Sequence, residues 1–350
     1  MQKALLATTA LVLSAGVAAA DVTISGYGRT GIIYYENDSD LRETQVSSRI
    51  RMNLDATTES DAGVEFGARL RLQHDQNGSR QSVYDFDDEE YRHDGRDEIR
   101  TQAGKVWISA QGLTVEIGNV DTAFDSAGLL YATDLGSYDR SGAFAPSVDL
   151  SAMAGGFFTY TDSYVSQNRV GVAANYSFGD LTVRASYVDP DQSDMDTDVV
   201  SDIIGNDEKE LGISADYKWD DRLELSGAYT NNAGGWDGVD LFFVGARYAV
   251  LENARIGLNY VNADDFNVGG VADNAFGQTV ALYGDYTLAD GLTNIEAYVA
   301  NNDGDWATKE TDNAFGIGVN YDLGGARLGA SIHRDYRELV SADMGVRFNF

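Results

Sequence analysis

The sequence predicts an all-β fold: a sixteen-stranded antiparallel transmembrane β-barrel with a long third outer loop folded into the lumen. Three observations carry this expectation. The chain alternates apolar and polar residues with a period of two, as its end shows. Ala342, Met344, Val346, Phe348 and Phe350 fall on one face, with Ser341, Asp343, Arg347 and Asn349 on the other. Such a strand has one apolar face and one wet face along its whole length, and about ten tilted residues of this kind cross a bilayer. The second observation is that these segments number sixteen, an even count as single-chain bacterial barrels have. The third is that the connections between them alternate between tight turns and long loops.

In order, the segments lie near residues 22–35, 45–56, 63–75, 98–109, 113–119, 168–178, 180–189 and 209–219. The second eight lie near 222–231, 239–250, 253–262, 277–288, 292–301, 313–323, 325–336 and 340–350. Gly179-Asp180, Asp220-Asp221, Leu251-Glu252, Asp290-Gly291 and Gly324-Gly325 are tight-turn signals, whereas residues 76–97, 190–208 and 264–276 are long, acidic and glycine-bearing. Short turns at one end and long loops at the other correspond to the periplasmic and outer ends of a barrel. Two Pro in 350 residues leave long runs free to pair, and the absence of Cys excludes a disulfide framework. Apolar rows such as Val170, Val172, Ala174, Tyr176 and Phe178, or Leu211, Ile213, Ala215, Tyr217 and Trp219, end in aromatics close to turns. Aromatics at those positions fit interfacial girdles, to which Tyr260, Tyr286, Tyr321 and Phe348 add.

Residues 1–20 read as a secretory signal peptide, with Lys3, an apolar run from Ala4 to Val17, and Ala18-Ala19-Ala20 before a mature start near Asp21. Residues 21–350 then form the barrel domain. The whole chain carries −31 at pH 7, and since Lys3 is the one charge in the first twenty residues, the remainder carries −32. That balance excludes nucleic acid as a partner, because phosphate neutralisation needs Lys and Arg. A mean hydropathy of −0.29 would suit a soluble protein, but half the residues of a wide barrel face water inside it.

A barrel of sixteen strands leaves an aqueous channel that side chains cannot fill. The longest gap between strands, about residues 120–164, mixes Asp121, Asp125, Asp134 and Asp139 with Phe124, Leu129, Leu130 and Leu135. It is too apolar for a free surface loop, so it is expected to pack on the inner wall and narrow the channel. Arg29, Arg49, Arg51, Arg69, Arg71, Arg327 and Arg347 lie on the water-facing rows of the first three and last two strands, neighbours once the barrel closes. The expected constriction has this basic arc on one side and the four loop aspartates as counter-charges, with Asp55, Glu65 and Arg100 extending either side. Net negative charge at the mouths, opposed by arginine at the waist, gives a weak cation preference.

Other features carry less. Asp87, Asp88 and Glu89 in one outer loop, and Asp191, Asp194 and Asp196 in another, cluster hard oxygen ligands without EF-hand spacing. They are either solvated loop residues or Ca²⁺ or Mg²⁺ sites that bridge to lipopolysaccharide phosphates; no other cofactor is implied. His74, His93 and His333 lie outside any nucleophile motif, which disfavours a barrel enzyme. A substrate-specific channel and an adhesin remain alternatives to general diffusion.

The opening Asp21-Val-Thr-Ile-Ser-Gly-Tyr-Gly-Arg29, the run from Gly112 to Asp125 and the closing Gly345-Val-Arg-Phe-Asn-Phe350 resemble the trimeric Gram-negative general porins, especially their alphaproteobacterial branch. The resemblance spans the chain. It implies a homotrimer in the outer membrane passing small hydrophilic solutes and ions, with lipid and lipopolysaccharide around it. It also implies a third outer loop entering the lumen after Gly118-Asn-Val-Asp-Thr122, with Asp121 and Asp125 at its start and Arg29, Arg49 and Arg69 on the basic wall. Phe350 resembles the family's assembly signal. Asn119 departs from the pattern, standing where relatives often carry Arg.

Overall fold

The computed structural model describes residues 21–36, 43–76, 82–85, 90–93, 99–141, 143, 170–189, 208–235, 237–263, 276–306 and 309–350. Its strands begin with β1 (Asp21–Tyr35), β2 (Thr44–Glu59), β3 (Glu65–Gln76), β4 (Ser82–Asp85), β5 (Glu90–His93) and β6 (Ile99–Ala110). They continue with β7 (Leu113–Gly118), β8 (Val170–Phe178), β9 (Leu181–Asp189), β10 (Glu210–Trp219), β11 (Leu223–Asn231) and β12 (Leu241–Leu251). The last six are β13 (Ala254–Ala263), β14 (Gly277–Thr287), β15 (Thr293–Asn302), β16 (Asn313–Asp322), β17 (Arg327–Arg334) and β18 (Val340–Asn349).

All but β4 and β5 form one closed barrel of sixteen strands, each antiparallel to its neighbours, with β1 paired to β18. Closure leaves no unpaired edge, which the hydrocarbon of a membrane would penalise heavily. The seam is finished by Phe350, whose N–H donates to the Gly26 carbonyl at 3.0 Å and whose carbonyl accepts from the Gly26 N–H at 2.8 Å. The sixteen segments read from periodicity coincide with the barrel strands. The added element is the β4–β5 hairpin inside the second long loop, four residues a side and too short to show a period.

Side chains divide by face as the alternation requires. On β10, Leu211, Ile213 and Trp219 point outward and are exposed, while Ser214 points inward and is 6% exposed. Tight turns close one end. Asp220 and Asp221 both take positive φ (51° and 52°), the mirror-image turn whose twist matches a hairpin. In the β14–β15 turn, Asp290 accepts from the Leu292 and Thr293 amides, each at 2.9 Å, and from the Thr293 hydroxyl at 2.6 Å. Those bonds hold its carboxyl below the usual range.

The buried core is inside the barrel, where the segment after β7 packs on the wall. Phe124, Leu129, Leu130 and Leu135 bury against Leu241, Phe243, Val261, Ala281, Tyr298 and Ala314, which point inward from β12 to β16. Fully burying side chains of this size stabilises the docked loop by about 1.5–3 kcal/mol each. The inner wall of these strands is therefore apolar towards the long loops. It turns ionic towards the short turns, where Arg247 pairs with Glu224 and Arg255 with Asp285.

Candidate functional site

The register of the ladder builds one continuous cationic row. Arg327 on β17 stands opposite Arg347 on β18, Arg347 opposite Arg29 on β1, and Arg29 opposite Arg49 on β2. Alternation aims all four into the lumen. With strands about 4.8 Å apart, the row covers roughly 14 Å of wall.

Adjacent guanidiniums repel unless something intervenes, and the tip of the inward loop does so. Asp139 accepts from Arg327 Nη2 at 2.6 Å and also ion-pairs with Arg347. Arg327 Nη2 donates to the Gly136 carbonyl at 3.0 Å, and Arg29 Nη1 to the Tyr138 carbonyl at 2.6 Å. The Tyr138 hydroxyl donates to the Ser47 carbonyl of β2 at 2.5 Å, and Arg29 lies 4.9 Å from the Tyr138 ring centroid. Charge-assisted bonds of this kind are the stronger hydrogen bonds of a protein. The row is also the clamp that holds the loop tip.

Close approach of two backbones makes this docking feasible. A Cβ on Gly329 of β17 would lie 2.5 Å from the Ser137 nitrogen, and one on Gly136 would lie 2.9 Å from both Asp343 Oδ1 and Ser331 Cβ. Gly136 also takes φ +71°, a conformation that costs glycine little. Beneath the tip, the buried Asp343 accepts from the Ser331 hydroxyl, and Ser331 meets His333 Nε2 at 2.8 Å while Tyr298 meets His333 Nδ1 at 3.2 Å.

Upstream, the same loop is tied to the opposite wall. The Ala123 amide donates to Ser186 Oγ at 2.8 Å, the Gly128 amide to Asp216 Oδ1 at 2.9 Å, and Asn259 Nδ2 to the Leu129 carbonyl at 2.7 Å. These anchors sit on β9, β10 and β13. The loop thus crosses the inner wall from β9 to β2.

The remaining arginines of the expected arc have local partners. Arg69 makes a two-pronged contact with Asp55 at 2.7 and 3.0 Å, Arg71 donates to Asn53 at 2.9 Å, and Arg51 donates to Gln73 at 2.6 Å. The loop aspartates are strung along the wall, and two of them, Asp121 and Asp139, meet opposite charges beneath them. Asp121 lies 3.4 Å from Lys105, itself 3.0 Å from Glu116; Asp125 accepts from the Tyr131 hydroxyl; Asp139 joins the arginine row. Asp134 is half-buried, and burial together with the Glu296 carboxylate pushes it up to about 7.

Sequence reading missed Lys105, Glu296 and Asp343, which stand out only once the loop lies over them. A signal was present in the inward-facing glycines at 316, 318, 329 and 345, which lower the wall on three consecutive strands. The acids Asp87, Asp88, Glu89, Asp191, Asp194 and Asp196 lie outside the described residues, as does Arg100's side chain. Among the described residues no three His, Cys, Asp or Glu side chains could share a metal ion.

A sequence profile of the Gram-negative porins matches residues 7–335. The chain belongs to the Gram-negative porin family. It is 35% identical over 339 residues to a porin of Fuscovulum blasticum, covering 94% of this chain and all of that protein. A triple mutant of the Rhodopseudomonas blastica porin superposes with a TM-score of 0.73 at 34% identity, over 94% of this chain and all of that one. A structure described for the asymmetric conductivity of engineered proteins gives 0.73 at 35% identity over the same shares. With the closed sixteen-stranded barrel, membership makes this porin an outer-membrane channel for passive diffusion of small hydrophilic solutes and ions.

Proposed function

We propose that the loop entering at Val120 constricts the channel, with Arg29, Arg49, Arg327 and Arg347 forming the basic side of the passage. Arg51, Arg69 and Arg71 extend that side along β2 and β3. Asp121, Asp125, Asp134 and Asp139 line the loop and divide the lumen into basic and acidic stretches. The observation that carries this reading is the arginine row in register across β17, β18, β1 and β2 with the loop tip bonded to it. A field of this kind orders water and favours polar over apolar solutes. The channel is general, weakly cation-preferring, and needs no energy source or cofactor. We read it as a channel rather than an enzyme, with His333 a wall residue, 4% exposed and held between Ser331 and Tyr298.

The porin is read as a homotrimer exported by a signal peptide over residues 1–20. The outward rows of β1, β2 and β18 support contact between barrels, with small Gly26 and Gly28 beside Ile50, Met52 and Phe348. The acidic outer loops are read as solvated surface beside lipopolysaccharide, with Ca²⁺ or Mg²⁺ bridging their carboxylates to its phosphates as the alternative. Conductance of the purified protein in KCl tests the channel: ohmic steps in groups of three, unsaturated by any single sugar or acid, support a general trimeric pore. Flux that saturates with one solute would replace it with a substrate-specific channel. Crosslinking that yields no trimer would remove the assembly, and retention of lipopolysaccharide after chelation would remove the cation bridge.

A further inference from the structure

We infer a solute-binding station on the short-turn side of the loop tip, suited to small zwitterions such as amino acids. It is a recess of about 710 Å³ bounded by β13, β15, β16, β17, β18 and the tip of the inward loop. This size is within the usual range for small-molecule sites. Its lining carries Arg255, Arg327 and Arg347 against Asp139, Glu296 and Asp322, three groups of each sign.

Their order around the wall is what points to a zwitterion. Arg255 on β13 is in register with Asp285, and Asp285 with Glu296 on β15. Asp322 on β16 is in register with Arg327, and Arg327 with Arg347. In order around the wall, the carboxylates of Asp285, Glu296 and Asp322 lie between Arg255 on one side and Arg327 and Arg347 on the other, with Arg255 bonded to Asp285 at 2.9 and 3.1 Å and Arg327 and Arg347 both paired with Asp139. An ammonium group placed at the centre leaves a carboxylate of the same molecule within reach of a flanking guanidinium, whose planar fork suits it. A simple cation engages only the central carboxylates and a simple anion only a flanking guanidinium, so each makes part of the contacts open to a zwitterion. Polar side chains of Asn294 and Asn320 complete the lining and can bond neutral parts of the solute. Both Asp322 and Arg255 are exposed to the lumen, so the charges are presented to solvent.

The tight turns next to the recess place it at the periplasmic mouth. It adjoins the arginine row, sharing Arg327, Arg347 and Asp139 with it, and extends from there towards the short turns. The inference rests on the chain being an open pore, which ohmic current without any added solute reads separately.

The test records single-channel current in KCl with L-alanine added on the periplasmic side, against ethylammonium and propionate at the same concentration. Saturable interruptions are expected with alanine, at least fivefold longer-lived than with either singly charged probe. Asp322→Asn should shorten the alanine interruptions about fivefold. Ohmic current with no alanine-dependent interruptions, interruptions equal for all three probes, or interruptions unchanged in Asp322→Asn would each overturn the station while leaving the pore intact.

Discussion

Asp139→Asn removes one negative charge from the arginine row and little else. Asn has nearly the same volume and tolerates the left-handed conformation that Asp139 holds at φ 47°. What changes is electrostatic, since Arg327 and Arg347 lose the carboxylate they share. The three side chains are 24–37% exposed, so the pair contributes only modestly to stability. For an ion passing about 5 Å away in water, a unit charge is worth about 0.8 kcal/mol, and screening at 0.1 M salt leaves roughly 0.5 kcal/mol. That factor raises local anion concentration about twofold and lowers cation concentration equally, so the cation-to-anion permeability ratio should fall about fivefold. The assay is the reversal potential across a KCl gradient in planar bilayers. Unchanged reversal potential and conductance would refute the placement of Asp139 and its two arginines on the ion path.

Replacing Arg49 and Arg51 together with Ala should raise conductance and shift selectivity towards cations; identical currents would remove both from the constriction. Gly329→Val should loosen the loop tip, since its Cβ would lie 2.5 Å from the Ser137 nitrogen and overpacking of this kind costs about 1–3 kcal/mol. Larger and noisier conductance is the expected result, and wild-type traces from folded protein would contradict it. Asp134 titrates up to about 7 in the docked loop against 3.8 free, so the stability tied to its neutral form is complete below 3.8 and lost as pH rises through about 7. Loop fluctuations read as current noise should therefore increase from pH 5 to pH 8, and Asp134→Asn should flatten that dependence. Deleting Phe350 removes both seam hydrogen bonds to Gly26 and should lower the yield of heat-modifiable barrel on gels; an undiminished yield would dismiss it as an assembly signal.

Much of this was legible from alternation alone. Each strand has one apolar row, so the facing of Ile213 or Met344 follows from counting by two, and turn chemistry at Asp220-Asp221 and Asp290-Gly291 marks the ends. The cationic row was partly legible, because Arg29, Arg49, Arg327 and Arg347 lie on water-facing positions of strands that become neighbours on closure. Exact register depends on three-dimensional pairing, which set Arg51, Arg69 and Arg71 beside Gln73, Asp55 and Asn53 instead. The path of the inward loop was not legible. It follows from apolar residues on the inner face, such as Phe243, Val261 and Tyr298, and from glycines that let two backbones meet. Both look like irregularities of the pattern until the loop is laid over them.

The most direct measurement is conductance of the purified, refolded protein inserted into a planar bilayer in KCl. Stepwise, ohmic, long-lived current increases are expected, with selectivity that moves when Asp139 is neutralised. Silence from protein whose barrel is folded, as judged by heat-modifiable migration, would contradict an open diffusion channel.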